Sequence, residues 1–220
     1  MSRYQNRLDS FTLVEIVSSL GIIVLIVGFG SKLFRRDDGV ESVRAAERIF
    51  FEAMNYARFR AIYYHSVVRF MIDVSDDSEY SHRKIIVALK KTGDGGQTIL
   101  EKQKEILLPR HTFFIPKTYV RNILPGASDA RYFWDNCLFT DGGKTLTMAF
   151  RDIDSVGMPM ESSSVKPILY AVGAGSCKAD ASNKFSVKFL KDTKVCGGVL
   201  LPGGIITTLD SPDKIIKLLQ

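Results

Sequence analysis

The sequence predicts an α+β chain, a long N-terminal helix packed on a β-rich C-terminal domain, and three observations carry that reading. Residues Phe11–Ser31 form an apolar run of 21 residues with a single charge, Glu15. Between Val43 and Ala61 apolar side chains recur at three- and four-residue spacing, the helical period. From Ser66 onward the period falls to two, and Gly- and Pro-containing turns punctuate the chain. The composition, 45% hydrophobic and 25% charged over 220 residues, excludes wholesale disorder and collagen-like repeats, and three cysteines exclude a disulfide-dense scaffold. A formal charge of +6 permits a polyanionic partner without requiring one.

The elements follow in chain order. At about 1.5 Å per residue the apolar run spans roughly 30 Å as a helix, the thickness of a bilayer's hydrocarbon core, so it reads as a transmembrane segment. Arg3 and Arg7 ahead of it and Lys32, Arg35 and Arg36 beyond it put positive charge on both flanks, which leaves orientation open. Glu15 asks for a partner, because a carboxylate at mid-bilayer costs about 2.5–3.5 kcal/mol. Asp37-Asp38-Gly39 predicts a kink or short break. Beyond it Val43, Ala46, Phe50, Ala53, Met54, Ala57 and Ala61 share one stripe, and Glu41, Arg44, Arg48, Glu52 and Arg58 fall away from it. That is an amphipathic helix resting on a sheet.

The alternation of Val68, Phe70, Ile72 and Val74 marks the first strand, Ser75–Ser81 a polar turn, and Lys84–Lys90 the returning strand. Asp94-Gly95-Gly96 turns the chain into Gln97–Leu108, and Pro109 and Pro116 bracket a short segment holding Phe113 and Phe114. Arg131–Phe139 and Lys144–Phe150 read as a hairpin across Asp141-Gly142-Gly143. Lys166–Val172, Phe185–Leu190 and Gly198–Thr208 supply further strands. Ser211-Pro212-Asp213 is a helix start, predicting a terminal helix over Asp213–Leu219.

Ser10-Phe11-Thr12-Leu13-Val14-Glu15, behind a short basic leader and ahead of an apolar helix, resembles the class III signal of type IV pilins and type II secretion pseudopilins. The segment Ala46–Phe70 is similar to the H-type minor pseudopilins and their FimT-like minor pilin relatives. One departure stands out: Ser10 occupies the position before the cut, where the family usually has Gly. The resemblance implies a pilin-like fold in which one long N-terminal helix packs by its second half on two antiparallel sheets. It divides the chain into a cleaved leader (1–10), a transmembrane and filament-core helix (11–34), the amphipathic half of that helix (35–65) and a periplasmic β-rich domain (66–220). It further implies cleavage between Ser10 and Phe11, N-methylation of Phe11, and a filament-assembly salt bridge from Glu15 to the N-terminal amine of a neighbouring subunit.

The function implied is that of a non-enzymatic structural subunit of a type II secretion pseudopilus or a type IV pilus, near the tip. Its location would be single-pass in the inner membrane, with the C-terminal domain in the periplasm. Its partners would be other pilins or pseudopilins, the prepilin peptidase, the inner-membrane assembly platform, and a secreted substrate or the outer-membrane secretin. FimT-like minor pilins can contact DNA, and Lys184, Lys188, Lys191 and Lys194 are the candidate contacts for that alternative. A single-span membrane-anchored protein of other function is the remaining alternative.

The residues themselves offer no catalytic constellation. His65, His82 and His111 lack metal-ligand spacing and read as surface or strand-end histidines, so no metal and no cofactor is expected. Cys177 and Cys196, flanking a hairpin in an exported chain, are candidates for a disulfide that leaves Cys137 buried. Gly143-Lys144-Thr145 resembles the tail of a phosphate loop but lacks the upstream glycine, since Leu138 stands there. Asp76-Asp77-Ser78-Glu79 is one acidic run without the ligand count calcium needs, and reads as a solvated turn.

Overall fold

The stripe from Val43 to Ala61 lies on helix α2 (Asp38–Tyr63), and all seven of its residues are fully buried. The structure, a computed structural model, describes residues 17–25, 38–126, 134–160, 168–182, 184–189, 194–201, 203–209 and 211–219. The chain forms two compact units, Met1–Asp38 and Gly39–Gln220. The described part of the first is helix α1 (residues 17–25), where Val17, Leu20, Ile22, Ile23, Val24 and Leu25 are exposed.

The second unit follows α2 with β1 (Val68–Asp73), β2 (Lys84–Thr92), β3 (Thr98–Leu107), β4 (Thr112–Phe114), α3 (Lys117–Ile123), β5 (Asp135–Asp141), β6 (Lys144–Ile153) and β7 (Pro159–Met160). It ends with β8 (Ile168–Ala179), β9 (Phe185–Phe189), β10 (Val195–Leu200), β11 (Ile206–Leu209) and α4 (Pro212–Leu219). Among the described residues these strands form two antiparallel sheets. The first runs β3-β2-β1-β6-β5 with β7 beside β6, and the second runs β11-β10-β8-β4 with β9 beside β8.

Helix α2 lies between the sheets. Its stripe shares one core with Val68, Phe70, Ile72, Ile85, Val87 and Ile153 of the first sheet and with Ile168, Tyr170, Val172 and Leu200 of the second. The face of the first sheet turned away from α2 is apolar too, with Met71, Ile86, Ala88, Phe139, Leu146 and Met148 in a separate cluster. That face is enclosed because the sheet curls. Lys102 on the outer strand β3 reaches Asp141 on the opposite outer strand β5 at 2.8 Å, and Lys84 joins the same carboxylate at 3.1 Å. At the other end of the cluster Arg69 grips Asp152 through two hydrogen bonds of 2.7 and 2.8 Å and lies 3.9 Å above the Phe150 ring.

Local chemistry explains the boundaries. The β5–β6 hairpin closes with Asp141 opposite Lys144, and Gly142 and Gly143 take φ of +59° and +83°, the two left-handed positions a type I′ turn requires. Helix α2 ends in a Schellman arrangement, in which Ser66 N–H donates to the Ala61 carbonyl at 3.1 Å and His65 N–H to the Ile62 carbonyl at 3.3 Å. His65 occupies the left-handed position of that motif (φ +47°), usually a glycine's place.

These observations correct the expected architecture. No single long N-terminal helix over 11–65 is seen: the described helices there are α1 at 17–25 and α2 at Asp38–Tyr63, and the boundary between the two compact units falls at Asp38. The fold is therefore not a pilin-like long helix laid on a β domain, but mostly strand, two curled antiparallel sheets with separate helices. The resemblance to the H-type pseudopilins falls with it. Among the described residues no helix is long and apolar enough to cross a membrane, so the single-pass inner-membrane anchor is not supported either. Helix α2 starts at Asp38, a residue that favours helix starts, and its amphipathic stripe has its own core to fill between the two sheets.

Candidate functional site

Where β1 runs out, a buried carboxylate organises the chain. Asp73 accepts hydrogen bonds from the Ser75 N–H (3.0 Å) and from the Ser78 hydroxyl, and it is wholly buried. Ser75 in turn takes the Thr147 N–H at 2.7 Å and gives its hydroxyl to the Thr147 carbonyl at 3.2 Å, tying the loop to β6. The loop therefore doubles back, and His82 N–H donates to the Asp73 carbonyl at 2.6 Å. The His82 carbonyl accepts the Phe114 N–H of β4 at 2.8 Å, so one residue joins the end of the first sheet to the second.

Beside this junction opens a cleft of about 710 Å³ between the sheets. Its apolar floor includes Phe114 and Trp134, and Val74 and Ala149 line it from the first sheet. Trp134 is held by donation of its indole N–H to the Leu169 carbonyl at 2.8 Å, and its ring meets Phe114 edge-on at 5.0 Å between centroids. One rim is the start of α3, Pro116 to Tyr119, turned by the Tyr119 N–H donating to the Pro116 carbonyl at 2.9 Å. The opposite rim comes from the β8–β9 turn. There Asp180 Oδ1 accepts from the Ser182 N–H (2.8 Å), the Ser182 hydroxyl (2.7 Å) and the Lys184 N–H (2.9 Å). The Phe185 N–H donates to the Asp76 carbonyl at 2.5 Å, which closes that end against the first sheet.

Electrostatics single out His82. Burial pushes its imidazole pKa down to about 4, against the opposing pull of the Asp73 and Asp76 charges. Its Nδ1 is buried with no hydrogen-bond partner. A neutral imidazole carries one N–H, and an N–H buried without an acceptor is costly, so the proton is assigned to Nε2, the nitrogen left to hydrogen-bond the Phe114 backbone. Its backbone is also unusual: φ is +61°, a left-handed conformation that ordinary side chains adopt at a cost. On the rim, the hydrogen bonds of its own turn, the Ser182 hydroxyl foremost, hold the Asp180 carboxyl below the usual range.

Among the described lining residues, Thr118, Tyr119 and Ser186 have no hydrogen bond to His82 or to a carboxylate that would activate them. No group of three or more His, Cys, Asp or Glu side chains among the described residues is placed to hold a metal ion.

The residues singled out from sequence fare differently. Ser10, Phe11 and Glu15 lie outside the described residues, as does Lys191. Lys184 lines the cleft, Lys188 is exposed on β9 opposite Ser176, and Lys194 is half-buried just before β10. Cys177 and Cys196 form no disulfide. Cys196 pairs with Val172 in the sheet register, whereas Cys177 lies five residues further along β8, about 16 Å at strand rise and far beyond a disulfide's Cα reach. The reading of all three histidines as surface or strand-end residues missed His82, and no spacing in the sequence could have flagged it, since its burial depends on the Asp73 loop. No family model, curated protein or solved structure matches this chain.

Proposed function

We propose that this chain is a non-catalytic binding protein that takes an apolar-bodied ligand or partner segment in the cleft between its two sheets. The observation that carries the reading is the aromatic floor, Phe114 and Trp134, set in a recess of about 710 Å³. That size falls within the roughly 300–1,000 Å³ range of ligand pockets. The test is titration of the full chain with the neutral apolar dye 6-propionyl-2-dimethylaminonaphthalene, exciting Trp134, the only tryptophan of the sequence. Saturable dye emission by energy transfer is expected, reduced at least about fivefold in affinity by Ser186→Tyr or Thr147→Tyr, which narrow the mouth. Absence of saturable binding, or binding indifferent to both substitutions, would sink the reading.

A second reading, a subunit that works by assembling with other chains, is favoured by one exposed surface. Near the end of α2, Phe59 (62% exposed) stacks on Tyr63 (64% exposed), and Tyr63 meets Tyr64 edge-on. Gly157 lies so close to Ile62 that a Cβ there would come within 2.9 Å of its Cδ1, which brings the exposed Val156 beside this ridge. Exposed apolar patches of this kind mark interaction surfaces. Sedimentation of the full chain should show concentration-dependent association that weakens in Phe59→Ser/Tyr63→Ser. An association constant unchanged by that double substitution removes the ridge as the assembly surface.

A further inference from the structure

We propose that Arg58 is an anion-binding anchor set in the exposed ridge near the end of α2, and that the partner docking there presents a carboxylate flanked by apolar side chains. The proposal rests on the assembly reading of that ridge and adds the charge and chemistry of what covers it.

Arg58 lies between one turn of each sheet. Its stem crosses Gly157 in the turn between β6 and β7, where a Cβ would come within 2.7 Å of its Cγ. Its guanidinium lies on Gly204 in the turn between β10 and β11, where a Cβ would run into Cζ and Nη2. Both glycines take left-handed φ, +81° and +79°. Each turn therefore needs glycine for its conformation, and the side chain it lacks is the room the arginine occupies.

The guanidinium held in this cradle has no partner. Among the described residues neither a hydrogen bond nor an ion pair reaches Arg58, and its Nε is buried. Arg60, Arg69, Arg83 and Arg151, the other arginines below the surface among the described residues, are all engaged, by the Tyr56 hydroxyl, Asp152, the Leu108 carbonyl and Asp135. Asp154, the acid of the β6–β7 turn, spends its Oδ1 on the Val156 and Met158 N–H groups at 3.0 and 2.7 Å. Arg58 is only half-buried, with Nε shut off and Nη1 and Nη2 open to solvent. A charge desolvated on one side and open on the other is met from outside, in a setting where pairing is stronger than in water. The fixed fork of guanidinium donors matches a carboxylate.

The surroundings supply the rest of the partner. Val156 and Ile205, the chain neighbours of the two glycines, are exposed, as are Phe59 beside Arg58 in sequence and Ile62 one turn on. An arginine flanked by exposed aromatic and aliphatic side chains has the composition of an interface hot spot. A free inorganic anion would leave those side chains in water. The occupant that covers both is a protein segment carrying Glu or Asp between apolar residues.

Three peptides of one shape and different charge decide the matter: acetyl-Ser-Leu-Glu-Leu-Ser amide and its versions with Gln or Lys at the centre, each titrated into the full chain by calorimetry. The Glu peptide is expected to bind with Kd below about 1 mM, and the Gln and Lys peptides at least about tenfold more weakly. Arg58→Gln should bring the Glu peptide down to the level of the Gln peptide and leave the Gln peptide where it was. Arg58→Lys, which keeps the charge, should restore part of the preference for Glu, a result that a merely structural role for Arg58 would not give. Phe59→Ser/Tyr63→Ser should weaken all three peptides alike. Equal binding of the Glu and Gln peptides overturns the carboxylate pairing while the ridge reading survives, and tightest binding by the Lys peptide overturns it by reversing the sign. Displacement of the Glu peptide by millimolar inorganic phosphate would assign the site to a free anion and overturn the protein partner. If no peptide binds, the proposal falls, and the sedimentation of Phe59→Ser/Tyr63→Ser still judges the ridge by itself.

Discussion

Phe50→Ala should destabilise the protein by about 3–5 kcal/mol, the range for truncating a buried aromatic. Phe50 is fully buried on α2 and is the hub of an aromatic cluster drawn from both sheets. Its ring stacks on Tyr170 of β8 at 4.0 Å between centroids and with an interplanar angle of 18°. It is tilted against Phe70 of β1 at 5.2 Å, lies parallel to Phe114 of β4 at 6.2 Å, and meets Trp134 edge-on at 6.4 Å. Truncation removes the apolar area of one large ring and leaves a void that four aromatic neighbours, each held by its own strand or hydrogen bond, cannot collapse to fill. The loss also exceeds area burial alone, since each well-oriented aromatic pair is worth about 0.5–1.5 kcal/mol beyond it. Denaturant unfolding should show a lower midpoint with an unchanged slope. A change below about 1.5 kcal/mol would mean that the sheets do not meet through this ring. Because Phe114 and Trp134 also floor the cleft, the variant should blue- or red-shift Trp134 emission before any unfolding begins.

Phe50 shows what was legible in the sequence. A helix buried along one stripe writes a 3.6-residue period that no other structure produces, and the seven stripe residues could be named from spacing alone. Strands were legible where turns carried mandatory chemistry, as in Asp141-Gly142-Gly143 with both glycines at positive φ. The closure of the first sheet was not legible. It depends on Lys102 finding Asp141 across a sheet, two residues 39 apart in sequence on strands that are not neighbours in the sheet. That closure also explains why β1 is buried on both faces: Met71 sits in the enclosed cluster and Phe70 in the main core, so strict alternation understated its burial.

The N-terminal reading failed in the opposite direction. The resemblance joins the 21-residue apolar run, across a kink or short break at Asp37-Asp38-Gly39, to the amphipathic stripe as one long N-terminal helix, whereas the described residues give helices at 17–25 and Asp38–Tyr63. Apolar length reports how much surface needs covering, not where a helix begins or ends. The candidate site was the least legible part. The polar loop Ser75–Ser81 reads as a solvated turn, and its Asp76, Asp77 and Glu79 are indeed exposed. Yet Ser75, Ser78 and Ser81 are buried around Asp73, because one carboxylate with short hydroxyl-bearing neighbours can satisfy itself inside a fold. Polarity alone does not distinguish the two.

That loop sets the second large effect: His82 should make the protein acid-sensitive well above the pH at which its carboxylates titrate. In the folded chain the imidazole pKa is about 4, lowered first by burial and only partly restored by Asp73, Asp76 and the Phe114 backbone contact. In the unfolded chain it returns to about 6.5. The unfolded state therefore binds more protons between those values, and stability rises with pH across the window. His82's contribution is fully present above about pH 6.5 and is lost as pH falls through about 4. Each pH unit between the two values is worth about 1.4 kcal/mol, so the whole window amounts to roughly 3 kcal/mol. Between pH 7 and pH 4.5 the expected loss is about 2–3 kcal/mol. The carboxylates whose pKa is lowered by partners, Asp141 by the Lys102 hydrogen bond, Asp180 by its turn and Glu101 by the Lys91 hydrogen bond, act below the ordinary carboxylate range and do not share this window. His82→Asn keeps a residue that tolerates the left-handed backbone and has nothing to protonate, so its stability should be nearly flat over the same interval. Unfolding midpoints of both proteins at pH 7 and 4.5 measure the difference, and an equal acid loss in His82→Asn would assign the sensitivity elsewhere.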